Sequence, residues 1–122
     1  MTHTYYHAES SARLFGGAPE DYLEIHDWFD ETKELMPDYR HRALRHHSQG
    51  IFEAERKFGH TIRNSEGKDI PVRYIGEQHV SEDCGGRVPS LEDWLKEINR
   101  KPWMAKATPM KLRQSRVRPK PD

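Results

Sequence analysis

The sequence holds a single cysteine, Cys84, among 122 residues. One thiol cannot form a disulfide within the chain, and zinc sites built on several thiolates need further cysteines. Any metal site must therefore use nitrogen and oxygen ligands. Cys84 stands next to two glycines without an adjacent basic residue, which does not indicate a nucleophile.

Long apolar runs are also missing from this chain. No stretch approaches the ~20 apolar residues that a membrane helix needs, and the N-terminus has no basic segment followed by an apolar run. Hydrophobic residues make up 34% and charged residues 33% of the sequence, which is typical of a globular domain with a modest core. We therefore expect a cytoplasmic protein with no membrane partner.

The chain carries no net charge, but its charges are unevenly divided. Residues 1–99 hold 12 basic and 19 acidic residues, a net charge of −7, whereas residues 100–122 hold 8 and 1, a net charge of +7. Within the acidic part, Arg40 and Arg42 are expected to be solvated or paired with a nearby aspartate rather than to clamp a phosphate.

Residues 105–122 are expected to form a basic, proline-containing, disordered tail after a single helical domain over residues 1–104. The tail has few large apolar residues, so it cannot build a core. Its basic residues are Lys106, Lys111, Arg113, Arg116, Arg118 and Lys120. Three roles stay open for them: binding nucleic-acid phosphates, folding onto the acidic part of the chain, or aiding solubility.

Glycine and proline divide the first 104 residues into about five predicted helices. These are Tyr5–Phe15, Pro19–Leu35, Tyr39–Phe58, Gly76–Cys84 and a last helix over Leu91–Ile98, capped by Ser90 with Asp93. Thr61–Arg63 and Ile70–Tyr74 flank a glycine-containing turn, which predicts a short β-hairpin. The predicted fold class is therefore mainly α, a compact helical domain with one small hairpin insertion.

Three of the predicted helices each place one histidine within an apolar stripe. These are His7, His26 and His47. At 100° per residue, a continuous third helix centres its stripe near His47 and turns His46 away. A fourth histidine, His79, precedes Glu82 and Asp83 by three and four residues, a spacing at which two side chains reach one ion.

Histidines that converge from several elements indicate either a metal site or a buried hydrogen-bond network. A lone histidine of this kind is usually an ordinary core residue, but several are a costly way to build a core, since each buried ring needs partners. Asp30 lies one turn after His26 on the same face. The predicted metal ligands are His7, His26, His47 and His79, with Asp30 as a ligand or base. The histidines expected at the surface are His3, His41, His46 and His60, although His46, next to His47, could move to the site.

Several strings of residues, spread over nearly all of residues 1–104, form a specific pattern. They are Tyr6–Ser11, Phe15–Gly17, Ile25–Asp30, Arg40–His47, Pro71–His79 and Pro102–Met104. Together they resemble a family of small uncharacterised histidine-rich proteins of bacteria and their phages. The resemblance implies no established activity. Residues 82–87, with Cys84 among them, depart from the family pattern.

Three functions are consistent with these features. The first is a metal-dependent enzyme, in the first place a hydrolase, in which Zn²⁺, Mn²⁺ or Fe²⁺ activates water against a small-molecule or phosphoester substrate. The second is a non-enzymatic binding or host-interaction protein, including one encoded by a phage, whose histidines form a structural network. The third is a nucleic-acid accessory protein that uses the basic tail. The sequence does not define an oligomeric state.

Overall fold

A computed structural model of the chain describes residues 3–110. The structure is mainly helical with one two-stranded antiparallel hairpin, as the sequence predicts. The elements are α1 (His3–Phe15), α2 (Leu23–Asp30), α3 (Arg42–Arg45), α4 (Ser48–Phe58), β1 (Thr61–Arg63), β2 (Asp69–Pro71), α5 (Val72–Asp83) and α6 (Leu91–Leu95). Short 3₁₀ turns cover Pro19–Asp21, Glu31–Glu34, Tyr39–His41 and Pro102–Ala105.

Helices α1, α2, α4 and α5 pack around one apolar core. The core side chains are Ala8, Tyr22, Ile25, Trp28, Phe29, Ile51, Ala54, Ile70, Val72, Ile75 and Val80. Gly76 of α5 permits a close approach of these helices, since a Cβ there would lie 3.2 Å from both Ile51 and Phe29. The core thus brings the last turns of α2 and α5 close together, and the candidate site described below lies there.

The predicted helix from Pro19 to Leu35 is shorter in the structure. A 3₁₀ turn over Pro19–Asp21 precedes α2, and a second 3₁₀ turn over Glu31–Glu34 follows it. Such tightening is common where a helix begins or ends. Asp30 is therefore the last residue of α2 rather than a residue in the middle of a helix.

The predicted continuous helix Tyr39–Phe58 is wrong, because the chain breaks between α3 and α4. His46 ends α3 with φ −87° and ψ 67°, and His47 is extended with φ −162° and ψ 172°. The Nδ1 atom of His47 accepts a hydrogen bond of 3.0 Å from the backbone N–H of Gly50, so His47 caps the N-terminus of α4. Caps of this type satisfy backbone donors that a helix leaves free in its first turn.

The break is fixed by close backbone packing. A Cβ atom on Gly50 would lie only 1.9 Å from the carbonyl oxygen of Arg45. Position 50 therefore requires a residue without a side chain. The break is also held by the N–H of Ser48, which donates a 2.9 Å hydrogen bond to the carbonyl oxygen of Pro89, far along the chain.

The predicted hairpin is present, but its second strand covers Asp69–Pro71 instead of Ile70–Tyr74, because α5 begins earlier than predicted. Strands β1 and β2 pair with Ile62 opposite Ile70. Helix α5 begins at Val72 instead of Gly76, because the buried residues of this segment follow the helical period rather than strand alternation. Ser90 and Asp93 form the predicted capping box at α6. This helix ends at Leu95 rather than Ile98.

The C-terminal residues described by the structure are exposed. Residues 106–110 have neither helix nor strand, and the remainder of the predicted tail, 111–122, lies outside the described residues. A domain boundary after residue 104 stays a prediction. Among residues 3–110, no helix has the length and apolar character needed to cross a membrane.

Gly50→Ala is expected to destabilise the protein by about 3 kcal/mol, because the new methyl group would overlap the Arg45 carbonyl and force the backbone apart. Urea denaturation followed by circular dichroism measures this change. The control is Gln49→Ala, an exposed position in the same helical turn, which should change the free energy of unfolding by less than about 0.5 kcal/mol. Equal stability of the two variants would contradict the packing described here.

Candidate metal centre

Four side chains meet where the end of α2, the break between α3 and α4, and the end of α5 come together. They are Asp30, His46, His79 and Asp83, and each offers one nitrogen or oxygen atom within 4.8 Å of the others. The two histidines are fully buried, whereas the side chains of Asp30 and Asp83 are 7% and 14% exposed. We call these four residues the His-Asp cluster.

Five of the six separations within the His-Asp cluster are close to those of a tetrahedral set of ligands. The Nε2 atom of His79 lies 3.1 Å from Nε2 of His46 and 3.3 Å from both Oδ1 of Asp30 and Oδ2 of Asp83. The Nε2 atom of His46 lies 3.0 Å from Oδ2 of Asp83 and 3.6 Å from Oδ1 of Asp30. Ligands at bond lengths of about 2.0 Å around a tetrahedral ion are separated by about 3.3 Å. The cluster therefore has the dimensions of a site with two nitrogen and two oxygen ligands.

Local structure explains the position of each cluster residue. His79 and Asp83 are four residues apart on α5 and share one face. Asp30 is held at the end of α2 by the hydroxyl of Thr4, which donates a 3.1 Å hydrogen bond to its Oδ2 atom. The backbone of His46 is held by Trp94, whose indole N–H donates to the His46 carbonyl oxygen at 2.9 Å.

A chain of hydrogen bonds leads from His79 away from the His-Asp cluster. The Nδ1 atoms of His79 and His26 are 2.9 Å apart, and Nε2 of His26 lies 2.7 Å from Oγ of Ser11. The Ser11 hydroxyl donates to Oε1 of Gln78. One proton assignment satisfies every link: His79 donates from Nδ1 to His26, and His26 donates from Nε2 to Ser11. This assignment leaves the Nε2 lone pair of His79 facing the cluster, as metal binding requires.

His7 lies between two carboxylates. Its Nδ1 atom is 2.7 Å from Oε1 of Glu82, and its Nε2 atom is 3.1 Å from Oδ1 of Asp83. Burial lowers the pKa of His7, but hydrogen bonds with Asp83 and Glu82 outweigh burial and raise the pKa above 6.5. An imidazolium donates from both nitrogens, so His7 acts here as a buried cation beside the outer oxygen of Asp83.

The protonation states of the other groups suit metal binding. Burial, together with the nearby His79 and His7, lowers the pKa of His26 to about 2. Burial also lowers the pKa of His46 to about 4. Burial opposes ionisation of Asp30 and Asp83, but the histidine rings beside them, together with Lys33 beside Asp30, hold both pKa values below their ordinary range, to about 2 for Asp30. Neutral imidazoles and ionised carboxylates are the forms that bind metals.

One nitrogen of the cluster has no partner among the described residues. The Nδ1 atom of His46 is buried without a hydrogen bond. The ring of His46 packs edge-on against Phe29 and His41, with ring centroids 5.9 Å and 5.2 Å away. A buried polar atom without a partner costs about 1–3 kcal/mol. Such a cost is typically retained at a functional site or offset by a bound ion or water.

The structure brings together four of the five residues predicted from sequence. Asp30 and His79 belong to the His-Asp cluster, and His7 and His26 contact its members directly. His47 lies outside it: one ring nitrogen caps α4, and the other lies 3.2 Å from the carbonyl oxygen of Leu44. His46 lies in the cluster instead of His47. The chain breaks between α3 and α4, so the rotation of 100° per residue in a continuous helix does not relate the directions of these two side chains.

Two histidines expected at the surface are buried. His46 is fully buried, and His41 is 2% exposed, with its Nδ1 atom 3.0 Å from the Thr32 hydroxyl. His60 is exposed, as predicted, whereas the side chain of His3 lies outside the described residues. Gly50 is the residue in the sequence that could have indicated the helix break, since a glycine inside a helical pattern disfavours a continuous helix.

Two surface clefts reach the carboxylates of the His-Asp cluster. The first, here called the basic cleft, has a volume of about 260 Å³ and is lined by Lys33, Pro37, Asp38, Tyr39, His41, Arg42 and Asp83. The second, here called the acidic cleft, has a volume of about 390 Å³ and is lined by Thr4, Asp27, Asp30, Glu31, Lys33 and Glu34. The carboxylate side of the cluster thus faces solvent from two directions, while the imidazoles are enclosed.

Acid is expected to destabilise the metal-free protein. His26 and His46 have lowered pKa values in the folded state, so the unfolded state takes up their protons first as pH falls. Their contribution to the free energy of unfolding is complete above about pH 6.5 and decreases below it, by about 1.4 kcal/mol per pH unit for each group. The raised pKa of His7 acts in the opposite direction and offsets part of this loss.

Urea denaturation in chelator, from about pH 7 to about pH 5, measures this dependence. In His46→Gln, the free energy of unfolding should depend on pH less steeply than in the wild type, by the contribution of about one proton. His60→Gln, at a ring that is 85% exposed, should keep the pH dependence of the wild type. A stability that does not change over this range would contradict the protonation states described above.

Comparison with known proteins gives a family but no activity. A family model described as a domain of unknown function, DUF6915, matches residues 2–104. Neither the curated proteins nor the solved structures provide a significant match. The matched range includes the whole His-Asp cluster and agrees with the resemblance to an uncharacterised family. The chain therefore belongs to the DUF6915 family of domains of unknown function.

Proposed function

We propose that this protein is a metal-dependent hydrolase whose divalent ion, Zn²⁺, Mn²⁺ or Fe²⁺, is bound by the His-Asp cluster. The observation that carries the proposal is the set of separations between 3.0 and 3.6 Å among two imidazole nitrogens and two carboxylate oxygens. Nitrogen and oxygen ligands suit these three metals. Of the predicted residues this ligand set keeps His79 and Asp30; His46 and Asp83 take the places of His7, His26 and His47 as ligands.

The residues around the ligands support this function. The chain of His26, Ser11 and Gln78 orients His79, and partners of this kind typically contribute 10–100-fold to metal affinity or activity. His7 holds the outer oxygen of Asp83 and offsets its charge. A bound ion of this class lowers the pKa of its water to about 7 and polarises an oxygen of the substrate.

A catalytic ion needs an open coordination position, and the carboxylates are the side on which one can form. Asp83 is the most exposed member of the cluster, at 14% of its side chain. Because His7 binds its other oxygen, Asp83 can rotate away from the ion while remaining paired. The imidazoles of His46 and His79 stay in place because helix packing encloses them.

The acidic cleft supplies a route for the cation. Asp27, Glu31 and Glu34 line it together with Asp30, the cluster residue at its inner end. A cleft with charges of one sign raises the local concentration of ions of the opposite sign. Lys33 is the one basic residue among the residues that line this cleft.

A second candidate is a non-enzymatic binding protein, including a phage-encoded one that acts on a host factor. The observation that favours it is the burial of both imidazoles together with four protein donors within 4.8 Å of one another, enough for a four-coordinate ion. Closed sites with four protein ligands are typically structural. The histidines would then stabilise the fold, and the cytoplasmic location expected from the sequence suits both candidates.

His46→Ala is expected to weaken Zn²⁺ binding by at least about 100-fold, because one of four ligands is lost. Isothermal titration of the chelator-treated full chain measures the affinity. The matched control is the neighbouring residue: His47→Ser keeps a side-chain oxygen that caps α4 and should leave the affinity within about threefold. Equal affinities of the two variants, with folding checked by circular dichroism, would contradict the proposed ligand set.

The metal-loaded protein is expected to hydrolyse at least one member of a panel of model phosphomonoesters, phosphodiesters and carboxylic esters. Chelation and His46→Ala should both abolish turnover, because the ion supplies the activated water. The absorption spectrum of the Co²⁺-substituted protein gives the coordination number in parallel. A four-coordinate ion with no turnover on any panel member would favour the structural role over the hydrolase.

A further inference from the structure

We infer that the basic cleft binds the phosphate group of a small phosphorylated substrate and presents it to the His-Asp cluster from the Asp83 side. The inference rests on the proposed hydrolase and names its substrate class. Two cations, Lys33 and Arg42, line the cleft, and Asp83 connects it with the cluster. A substrate group held there would lie next to the proposed ion.

Arg42 is the first of the two binding groups. It forms no ion pair among residues 3–110, and one of its terminal nitrogens donates a 3.0 Å hydrogen bond to the carbonyl oxygen of Asp83. Its Nε atom is buried and has no hydrogen-bond partner among the described residues. The buried Nε has no access to the cleft, but Arg42 lines the cleft and its guanidinium carries further N–H donors, whose geometry suits the oxygens of a phosphate.

Lys33 is the second binding group. Its side chain is 40% exposed, and its Nζ atom lies 3.9 Å from Oδ2 of Asp30, which is a long ion pair. At this distance the ammonium does not form a charge-assisted hydrogen bond with the carboxylate, since such a bond is about 2.7–2.9 Å long. Lys33 is therefore free to bind an oxygen of a substrate that enters the cleft.

The carboxylates that line the basic cleft are already paired. Asp38 forms a 2.9 Å ion pair with Arg40, and it also accepts hydrogen bonds from the Arg40 backbone and Nε. Asp83 is paired with His7 on one oxygen and with His46 on the other. The cations of the cleft consequently face an anion without strong competition from its own acids.

The contrast between the two clefts gives the direction of approach. The acidic cleft has four carboxylates around Lys33, so it repels an anion. The basic cleft combines Lys33, which lines both clefts, with Arg42, and it meets the cluster at Asp83 rather than at Asp30. A metal ion and a phosphorylated substrate can thus reach one centre from different sides.

The size of the basic cleft limits the rest of the substrate. Its volume of about 260 Å³ lies just below the ~300 Å³ at which pockets for drug-sized ligands begin. Tyr39, which is 66% exposed, and Pro37 provide an apolar wall. The cleft therefore fits a phosphate with a small organic group, and a ring of that group can stack on Tyr39.

The test measures binding of inorganic phosphate, ribose 5-phosphate and adenosine 5′-monophosphate to the Zn²⁺-loaded full chain by isothermal titration, with sulfate as the competing anion. Lys33→Met and Arg42→Met should each weaken binding of the phosphorylated probes by at least about tenfold, because each removes a charged donor. The matched control is Lys96→Met, since Lys96 also pairs with an aspartate three residues away but lies outside the cleft. This control should bind like the wild type.

The results separate the cleft from the metal site. Zn²⁺ affinity is titrated for each variant, and we expect Lys33→Met to retain or strengthen it, since the variant removes a positive charge 3.9 Å from Oδ2 of Asp30. Loss of phosphate binding with retained Zn²⁺ binding supports the inference, and tighter binding of the two organic phosphates than of inorganic phosphate or sulfate supports the small substrate.

Equal phosphate binding by Lys33→Met and Lys96→Met, or no binding of any probe by the wild type, overturns the inference while leaving the metal site standing. Because Lys33 lies at the surface, its variant keeps the test decisive even where Arg42→Met fails to fold. Failure of the wild type to bind any of Zn²⁺, Mn²⁺ and Fe²⁺ contradicts the proposed hydrolase instead, and it is read from the metal titrations alone.

Discussion

The contact between the imidazoles of His46 and His79 is the interaction on which the candidate site depends. Their Nε2 atoms lie 3.1 Å apart, each within about 3.6 Å of the carboxylates of Asp30 and Asp83. Two carboxylates and two lone pairs placed together away from water are unfavourable unless positive charge lies between them. The proposed divalent cation would supply such a charge between these atoms, in addition to the charges of His7 beside Asp83 and Lys33 beside Asp30.

Charge compensation around this contact is arranged in layers. Neutral His26 lies behind His79 and fixes the orientation of its ring through Ser11. The cationic His7 lies behind Asp83 and shares it with the cluster. Farther out, the basic and acidic clefts place opposite charges at the two carboxylates. The same residues therefore account both for stable burial of polar groups and for a site that opens only on its carboxylate side.

Local signals explain which elements could be predicted. Helix α1 ends at two glycines with φ of 88° and 75°, the hairpin turns at a glycine, and α6 has its own capping box. Each of these features depends on residues within a few positions of one another. The boundaries of α2 and α5 were less accurate because neighbouring helices, rather than local signals, determine where those helices begin and end. The break after α3 has the same origin, since it depends on contacts across the fold.

The sequence by itself determined that any metal site would use nitrogen and oxygen, because it contains one cysteine. It also determined a mainly helical fold, the inward positions of His7 and His26, and the spacing that pairs His79 with Asp83, since helical periodicity is a local property. Only the tertiary structure decided between His46 and His47. That choice depends on the close approach of Gly50 to the Arg45 carbonyl. It also depends on a hydrogen bond between Ser48 and Pro89, which are 41 positions apart in the sequence (89 − 48). A periodic pattern has no information about such contacts, because they form only when distant segments of the chain pack together.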